Sequence, residues 1–364
     1  MAQQPIESDA AAATLEVVSP GALAALQDLG RSGWRRIGVP RAGALDAQGL
    51  RIANRLVGQA EAAAAIEFFA AGPTLKALDQ PVQLGLAGDF PVTLTRANGE
   101  RRQLESWRSV TLQPGDTLRA GQPRSARVGY VAVAGLEVTP VLGSASTYAR
   151  AALGGHAGRA LAAGDRLVAA AAAARPVERM LRRAPAVPAA PIRVVPGPQA
   201  DYFGDAALAA FFGAAYRVSA EADRMGMRLQ GAVLAHRPDK GAEIASDATV
   251  PGSIQVPGNG LPIVLLADGQ TVGGYPKIGT VASADLGRLA TAPVGAELRF
   301  EAVSVAQAEA LARAHEAALQ QLLRSIEPLL SDGDIDLEAI YRCNLVSGMI
   351  DATHPRGSDA WTST

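Results

Sequence analysis

Three glycine-rich loops carry the polar side chains that could do chemistry in this 364-residue chain. The first loop, residues 26–46, reads LQDLGRSGWRRIGVPRAGALD and holds four arginines and two aspartates. A loop of this kind can surround an anion with backbone N–H groups and guanidinium donors. The same residues would also suit a solvated loop in which Asp28 pairs with a neighbouring arginine, so both interpretations stay open.

The second loop, residues 142–165, reads LGSASTYARAALGGHAGRALAAGD. Its many small residues would allow the backbone to approach a ligand or a partner closely. A long connection between two strands would have a similar composition. The second loop is therefore a candidate binding site, and a plain connection between strands remains the alternative.

The third loop follows the apolar run PIVLLAD, which we interpret as a buried strand that ends at Asp268. A carboxylate at the end of a buried strand must find a partner or water, because an unpaired buried charge costs several kcal/mol. Lys277 is the candidate partner. Gly273 and Gly274 allow close approach of the backbone, and Tyr275 offers a ring and a hydroxyl group. Turn and binding site are both open interpretations of this stretch.

The sequence lacks the short motifs of several large enzyme classes. It has no G-x-x-x-x-G-K-[ST], no G-x-S-x-G and no H-E-x-x-H. The four histidines are scattered and form no metal-ligand spacing. We therefore expect no metal site and no serine, cysteine or zinc hydrolase chemistry.

Composition excludes further classes of protein. The formal net charge of −1 gives no electrostatic case for binding nucleic acid or an anionic membrane. No apolar run approaches the ~18 residues that span a bilayer. The N-terminus carries acidic residues and no basic ones, and the single cysteine, Cys343, cannot form an intrachain disulfide. We expect a cytoplasmic protein.

The pattern of the elements favours a mainly β fold. Short β-rich runs between Gly/Pro turns fill residues 67–168 and favour a barrel or a sandwich. The segments LQPGDTLR (112–119), LAAGDRLV (161–168) and, more loosely, TAPVGAELRF (291–300) repeat a strand–turn–strand element. Two short helices are predicted, one in LDAQGLRIANRLVG with Asp46 as N-cap and one in DAALAAFFG.

Four segments are expected along the chain. Residues 1–13 are expected to be disordered, and residues 14–190 to form an N-terminal β-rich domain that ends in a linker around a short helical piece. A second β domain covers residues 191–302. Residues 303–364 form a helical extension, in which Leu311, Leu319, Leu322 and Ile326 make an apolar stripe that needs cover, and DLEAIYRCNLVSG is a further short helix.

Motifs in a fixed order resemble one known family. SPGALAALQDLGRSGWRRIGVPRAGALD, YVAVAGLEVTPVLGSAST, GGHAGRALAAGD, DRMGMRLQG and PGSIQVPGNGLPIVLLADGQTVGGYPKIGTVASADL together cover about residues 15–302. They resemble the carboxyltransferase-domain family. That family includes the C subunit of bacterial 5-oxoprolinase, also called allophanate hydrolase subunit 2, the kinase-inhibitor antagonist KipA, and part of urea amidolyase.

The resemblance implies a fold, an activity and partners. The fold would be two cyclophilin-like β-barrel units. The activity would be ATP-dependent opening of 5-oxo-L-proline to L-glutamate, with ATP and Mg²⁺ as co-substrate. It would belong to a complex in which this chain works with a KipI-like B subunit together with a separate A subunit. Two features depart from the family: Gly269 stands where a cation usually follows the strand-end aspartate, and residues from 303 onward extend past its usual end.

The resemblance also assigns roles to residues of the three loops. Asp268, Lys277 and Tyr275 would be catalytic. Arg31 and Arg41 would bind anions or ATP. The substrate would be bound by Ser253, Gln255, Asn259, Gln270, Thr271, Gly273 and Gly274.

Two other functions remain as alternatives. One is a biotin-dependent carboxyltransferase component that acts on urea or a related amide. Biotin itself is not expected on this chain, because it has no A/V-M-K-M segment. The other is a non-enzymatic, KipA-like regulator that binds a KipI-like inhibitor.

Overall fold

The computed structural model describes residues 12–173 and 176–329 of the chain. The first half builds two antiparallel sheets. Their strands are β1 (Ala12–Ser19), β2 (Leu23–Gln27), β3 (Ala65–Phe69), β4 (Thr74–Ala77), β5 (Val82–Ala87), β6 (Pro91–Thr95), β7 (Arg101–Glu105), β8 (Arg108–Leu112), β9 (Thr117–Ala120), β10 (Val128–Val133), β11 (Arg166–Ala170) and β12 (Arg179–Met180).

The second half adds one large sheet and a two-stranded ribbon. Their strands are β13 (Ile192–Pro196), β14 (Tyr216–Ala222), β15 (Gly226–Gln230), β16 (Asp247–Ala248), β17 (Ser253–Gln255), β18 (Ile263–Leu265), β19 (Val272–Gly273), β20 (Lys277–Val281), β21 (Glu297–Leu298) and β22 (Phe300–Ala302). A last strand, β23 (Glu327–Pro328), returns to the seven-stranded sheet of the first half. The α-helices of the described ranges are α1 (Ala47–Leu56), α2 (Asp205–Gly213), α3 (Ser283–Ala290) and α4 (Val305–Arg324).

The first two sheets enclose one apolar core. The six-stranded sheet has the order β11-β1-β4-β9-β6-β7, and the seven-stranded sheet has the order β2-β3-β10-β5-β8-β12-β23. Leu15 and Leu75 from the first sheet and Phe68 and Leu86 from the second belong to the same buried cluster. Because side chains alternate along each strand, one face of each sheet lines this core and the other is free to pack elsewhere.

The third sheet nearly closes on itself. Its order is β21-β14-β15-β18-β17-β20-β13-β22, and its two edge strands are separated in the chain only by Arg299. The edges must therefore lie close together, which gives a near-closed barrel. The predicted mainly β fold with a few short helices is confirmed.

Helix α1 joins the two halves. It packs on β5, β10 and β3, on the outer face of the seven-stranded sheet. Its buried residues Leu50 and Ile52 share a cluster with Phe211 and Ile254 of the second half. The predicted N-cap is confirmed, because the side chain of Asp46 accepts a hydrogen bond from the N–H of Gln48 at 3.0 Å. Helix α2 covers the predicted segment.

The repeated Gly-Asp element is a shared turn. Gly115 and Gly164 both have positive φ, 88° and 86°. The following aspartates, Asp116 and Asp165, accept hydrogen bonds from the N–H three residues earlier, at 2.9 and 2.8 Å. The looser third copy keeps the glycine, Gly295, at φ 84°. The first copy connects two strands, β8 and β9, as predicted, whereas the second has a strand only after its turn and the third connects α3 to β21.

Two details of the sequence-based description are wrong. Ala12 and Ala13, assigned to a disordered N-terminus, are the first residues of β1, where they pair with Ala170 and Ala169. The linker has no helix at Arg179 and Met180, which form β12 between β8 and β23. A two-residue strand has too little local signal to show in a segment rich in alanine and proline.

The predicted apolar stripe of the tail is covered in its C-terminal part, whereas Leu311 is partly exposed and lies outside the core. A capping box of Ser304 and Gln307 begins α4. Leu319 and Leu323 are buried, and Leu322 and Ile326 pack against the same core. The helix contacts α3, β13 and α1. The second predicted tail helix, in residues 336–348, lies outside the described residues. None of the described helices is long and apolar enough to cross a membrane.

Candidate active site

Asp28 ties the first predicted loop to the second. Its carboxylate accepts hydrogen bonds from Gly30 N–H at 2.7 Å, Ser144 Oγ at 2.7 Å, Ala145 N–H at 2.7 Å and Ser146 Oγ at 2.5 Å. The expected pairing of Asp28 with a neighbouring arginine therefore gives way to a set of short hydrogen bonds to a remote loop. Such bonds to an ionised acceptor are stronger than neutral ones and fix both loops.

The second loop folds back on itself more closely than any residue but glycine would allow. A Cβ at Gly155 would lie 1.8 Å from Oγ1 of Thr147, and a Cβ at Gly154 would lie 2.2 Å from the Ser146 carbonyl. Both glycines also have positive φ. This close approach brings the backbone of 146–147 to the side chains of the first loop. Nη2 of Arg31 donates to the Ser146 carbonyl at 2.5 Å.

The third loop contacts the first loop, which in turn contacts the second. The N–H of Ala42 donates to the carbonyl of Ala267 at 3.0 Å. Nη2 of Arg35 donates to the carbonyls of Thr249 at 2.5 Å and Gln270 at 3.2 Å. The three loops singled out in the sequence therefore meet in one place.

Asp268 is paired with Arg224, not with Lys277 as the sequence suggested. Arg224 Nε and Nη2 donate to the two oxygens of Asp268 at 3.0 and 2.9 Å, and Nη2 also donates to the Gly43 carbonyl at 2.6 Å. Lys277 instead pairs with Asp247 at 2.8 Å. The correction has a geometric reason: β18 ends beside the turn before β15, which holds Arg224, and the N–H of Asp268 donates to the Arg224 carbonyl.

Glu67 completes a buried charged cluster with Arg224 and Asp268. It accepts from Arg224 Nη1 through one oxygen, and from Tyr130 Oη at 2.6 Å and Leu45 N–H at 2.8 Å through the other. Burial opposes the charge of Arg224, but Glu67 and Asp268 outweigh it and raise the pKa of the guanidinium above its ordinary value. Burial and then Glu67 raise the pKa of Tyr130 well above its ordinary value, so its hydroxyl stays protonated.

A small cavity of about 70 Å³ adjoins this cluster. Its polar wall consists of Gln27, Glu67, Thr147, Arg224 and Asp268. Its apolar wall consists of Leu23, Ala25, Phe69, Ala149 and Ala160. A charged wall that faces apolar side chains across a small, partly open cavity can orient a small polar molecule.

A second, larger groove of about 540 Å³ lies on the third sheet. Three predicted site residues line it: Gln255 and Gln270, which were predicted to bind substrate, and Tyr275, which was predicted to be catalytic. Gln270 Nε2 donates to Gln255 Oε1 at 3.2 Å. Two acids and an arginine, Asp223, Glu221 and Arg228, also line this groove, which is open to solvent.

The other predicted site residues have local structural contacts. Oγ of Ser253 accepts from Val250 N–H at 3.0 Å, and Oδ1 of Asn259 accepts from Leu261 N–H at 3.1 Å. Arg41 is exposed and donates to the Leu29 carbonyl at 3.2 and 3.0 Å. The remaining three lie in or beside the ribbon of β16 and β19: Thr271, Gly273 and Gly274.

Sequence reasoning gave no role to four residues of the site: Gln27, Glu67, Tyr130 and Arg224. Glu67 is a single charge inside the apolar run AAAAIEFF. A charge in a strand with no polar neighbours needs a buried partner, and that signal could have found it. Arg224 lies in the motif DRMGMRLQG, and nothing local shows that it points at Asp268.

The site has no arrangement for covalent or metal catalysis. The cavity wall holds one hydroxyl, Oγ1 of Thr147, and it donates to the Leu26 carbonyl at 3.0 Å. Across the described ranges, no three His, Cys, Asp or Glu side chains are grouped as metal ligands would be. What the geometry offers is positioned charge and hydrogen bonding.

Comparison with protein families places most of the chain in one of them. Residues 37–302 match the family model described as carboxyltransferase domain, subdomain A and B. The chain is 36% identical over 307 residues to the 5-oxoprolinase C subunit of Escherichia coli, and the match covers 81% of this chain and 93% of that protein. It is 35% identical to the 5-oxoprolinase C subunit of Haemophilus influenzae, with 86% and 99% covered.

Other matches are to parts of longer proteins. The chain is 29% identical to urea amidolyase of Lachancea kluyveri over 84% of its own length, and it spans 18% of that protein. The crystal structure of the K. lactis urea amidolyase matches with a TM-score of 0.77 at 27% identity, over 90% of this chain and 21% of that one. A structure of the protein TTHA0988 matches with a TM-score of 0.69 at 38% identity, over 82% and 57%.

Proposed function

This chain belongs to the carboxyltransferase-domain family with subdomains A and B, and we propose that it serves as the C subunit of an ATP-dependent 5-oxoprolinase. The reaction is 5-oxo-L-proline plus ATP and water to L-glutamate. The observation that carries the proposal is the near full-length likeness to two proteins named as the C subunit of 5-oxoprolinase. The buried cluster at the meeting of the three loops supports it.

The chemistry of a lactam suits such a site. A lactam is a poor electrophile, and phosphorylation of its oxygen by ATP makes that oxygen a good leaving group. The protein must then position the ring, stabilise developing charge and exclude water. Arg224 and Asp268 provide fixed charges beside a small, partly open cavity, and no nucleophilic side chain is needed. Lys277 lines neither cavity, so the charged role proposed for it passes to Arg224.

Two further groups of predicted residues keep a role in the proposed function. Arg31 serves as the buried cation for an anionic or electron-rich oxygen of the substrate. Arg41, which is exposed, stabilises the conformation of the first loop. Gln255, Gln270 and Tyr275 serve the open groove, where substrate or a partner surface enters. An A subunit together with a KipI-like B subunit would complete the complex, which we place in the cytoplasm with Mg²⁺-ATP as co-substrate.

A second candidate follows from the urea amidolyase relatives. In it, the chain would be a carboxyltransferase component that acts on urea or a related amide. The 27–29% identity of these relatives and the small share of their length that the chain spans make this the weaker candidate.

The test is reconstitution. The chain is co-purified with candidate A and B subunits, and 5-oxoproline-dependent ATP hydrolysis and glutamate formation are measured with each protein omitted in turn. We expect turnover only with all three, and negligible turnover from the isolated chain. Full turnover by the single chain, or biotin-dependent carboxylation of urea without lactam hydrolysis, would contradict the proposal.

A further inference from the structure

We propose that Gln27 and Arg31 together recognise the amide edge of the substrate, with Gln27 accepting from the N–H and Arg31 donating to the neighbouring carbonyl oxygen. The inference rests on the proposed function and names the substrate class of its site. A lactam holds its amide in the cis form, so the N–H and the C=O lie side by side on one edge of the ring. A pair of side chains with one acceptor and one donor matches that edge.

Both side chains are anchored on the second loop. Gln27 Nε2 donates to the Thr147 carbonyl at 3.2 Å, and Arg31 Nη2 donates to the Ser146 carbonyl at 2.5 Å. These are the carbonyl groups of consecutive residues. Gln27 is fully buried and Arg31 is 1% exposed, so their positions are set by packing as well as by these bonds.

Each side chain keeps hydrogen-bonding capacity that the described part of the chain does not use. Oε1 of Gln27 has no partner there, and neither has Nε or Nη1 of Arg31. The bond from Nε2 to the Thr147 carbonyl fixes which end of the Gln27 amide is the acceptor. Unsatisfied buried donors and acceptors are costly, so a fold that keeps three of them on two anchored side chains favours a ligand that satisfies them.

The charges around the pair favour a neutral edge. Burial lowers the pKa of the Arg31 guanidinium, and the charges of Asp28 and Asp268 offset only part of that effect. With Arg224 and Glu67 added, the five groups carry two positive and three negative charges. A carboxylate at Arg31 would add a fourth negative charge, whereas an amide adds none. The cavity that Gln27 lines holds about 70 Å³, enough for an amide edge but too small for a nucleotide.

The experiment compares two ligands that differ only at the N–H. These are 5-oxoproline and its lactone counterpart, in which ring oxygen replaces N–H while the carbonyl and carboxylate remain. Binding is measured calorimetrically without ATP, to the full chain alone and in complex with the A and B subunits. We expect wild-type protein to prefer the lactam at least about tenfold, because a site built to accept a hydrogen bond rejects an analogue that cannot donate it.

Substitutions test whether Gln27 and Arg31 cause the preference for the lactam. Gln27→Met should reduce the lactam preference to within about twofold, and Arg31→Lys should weaken both ligands by about tenfold or more while keeping the preference. Gln83→Met is the matched control, because Gln83 is a buried strand glutamine whose Nε2 also donates to a backbone carbonyl, that of Val177. It should leave the preference unchanged.

Three results would overturn the inference. One is equal wild-type binding of lactam and lactone, as expected if water alone satisfies these atoms. Another is a preference that survives in folded Gln27→Met. The third is no lactam binding to either form of the protein. Because binding is measured without turnover, a complex that prefers the lactam but hydrolyses none would refute the proposed activity and leave the recognition site standing.

Discussion

Removing Arg224, the cation of the buried cluster, should destabilise the protein more than removing an exposed arginine. Arg224→Met keeps much of the side-chain volume but leaves two carboxylates without their shared partner. The side chain of Glu67 is 1% exposed, and that of Asp268 is 11% exposed. Breaking a buried ion pair by removing one member typically costs about 3–5 kcal/mol, since the remaining charge is desolvated and uncompensated. We expect a loss of stability on that order.

Chemical denaturation at pH 7 measures this loss, with Arg124→Met as the matched control. Arg124 also contacts two carboxylates, Asp89 and Glu105, each at 3.0 Å, but it is half exposed. Exposed ion pairs contribute little because water and salt screen them. The control should therefore change the free energy of unfolding far less than Arg224→Met. Equal losses in the two variants would refute the argument from burial.

The pH dependence gives an independent check. Without Arg224, Glu67 and Asp268 are buried charges that lack their shared cation. Protonation removes the cost of burying a charge, so a lower pH relieves the variant more than the wild type. The stability gap between wild type and Arg224→Met should therefore narrow as the pH falls from about 8 to about 5. A gap that is constant over this range would show that the lost energy is not electrostatic.

Three further predictions address the site and the tail. Asp268→Asn should fold and bind the partner proteins but lower 5-oxoproline-dependent turnover about 10²–10³-fold, as typical for loss of one positioned charge; normal turnover with normal melting would remove Asp268 from the site. Gly155→Ala should lower activity and melting temperature much more than Gly143→Ala, because both have positive φ but only the Cβ at 155 meets an atom, Oγ1 of Thr147. Arg51 lowers the pKa of Glu316 in α4 to about 2, so this contact should stabilise the fold above the ordinary glutamate pKa and be lost as the pH falls through about 2. The melting temperature of Glu316→Gln should therefore lie below that of the wild type at pH 7, and the difference should shrink as the pH falls. An equal difference at pH 7 and at the acidic end of the titration would contradict this prediction.

The fold and the three loops of the candidate site could be predicted from the sequence, whereas most contacts within the site could not. Local rules were sufficient for α1, whose N-cap Asp46 and C-terminal Gly58 frame an apolar stripe, and for the Gly-Asp turns. The three loops could be chosen because glycine, small residues and a strand-end aspartate each carry a local signal. That Asp28 would bind Ser144 and Ser146 could not be known, because the partners are more than a hundred residues away.

The pairing of Asp268 shows where sequence reasoning fails. Lys277 was chosen because it is the next cation in the chain, but in a sheet the neighbour in space is set by strand order. Strand β18 lies beside β15, so the turn before β15 delivers Arg224 to Asp268, while β20 directs Lys277 toward Asp247. Sheet order depends on long-range pairing, and a single sequence without an alignment does not reveal it.

The shared guanidinium has a consequence for how the protein is made. Glu67 is synthesised more than 150 residues before Arg224, and Asp268 comes 44 residues later still. A ribosome-bound chain that has emerged only as far as β12 already contains the strand that holds Glu67, yet the cation for it has not been translated. The nascent first half must therefore keep this carboxylate hydrated or protonated, and the cavity can acquire its final charge only after most of the third sheet has emerged. Pausing or truncation between these points should yield a chain with folded sheets and no working site.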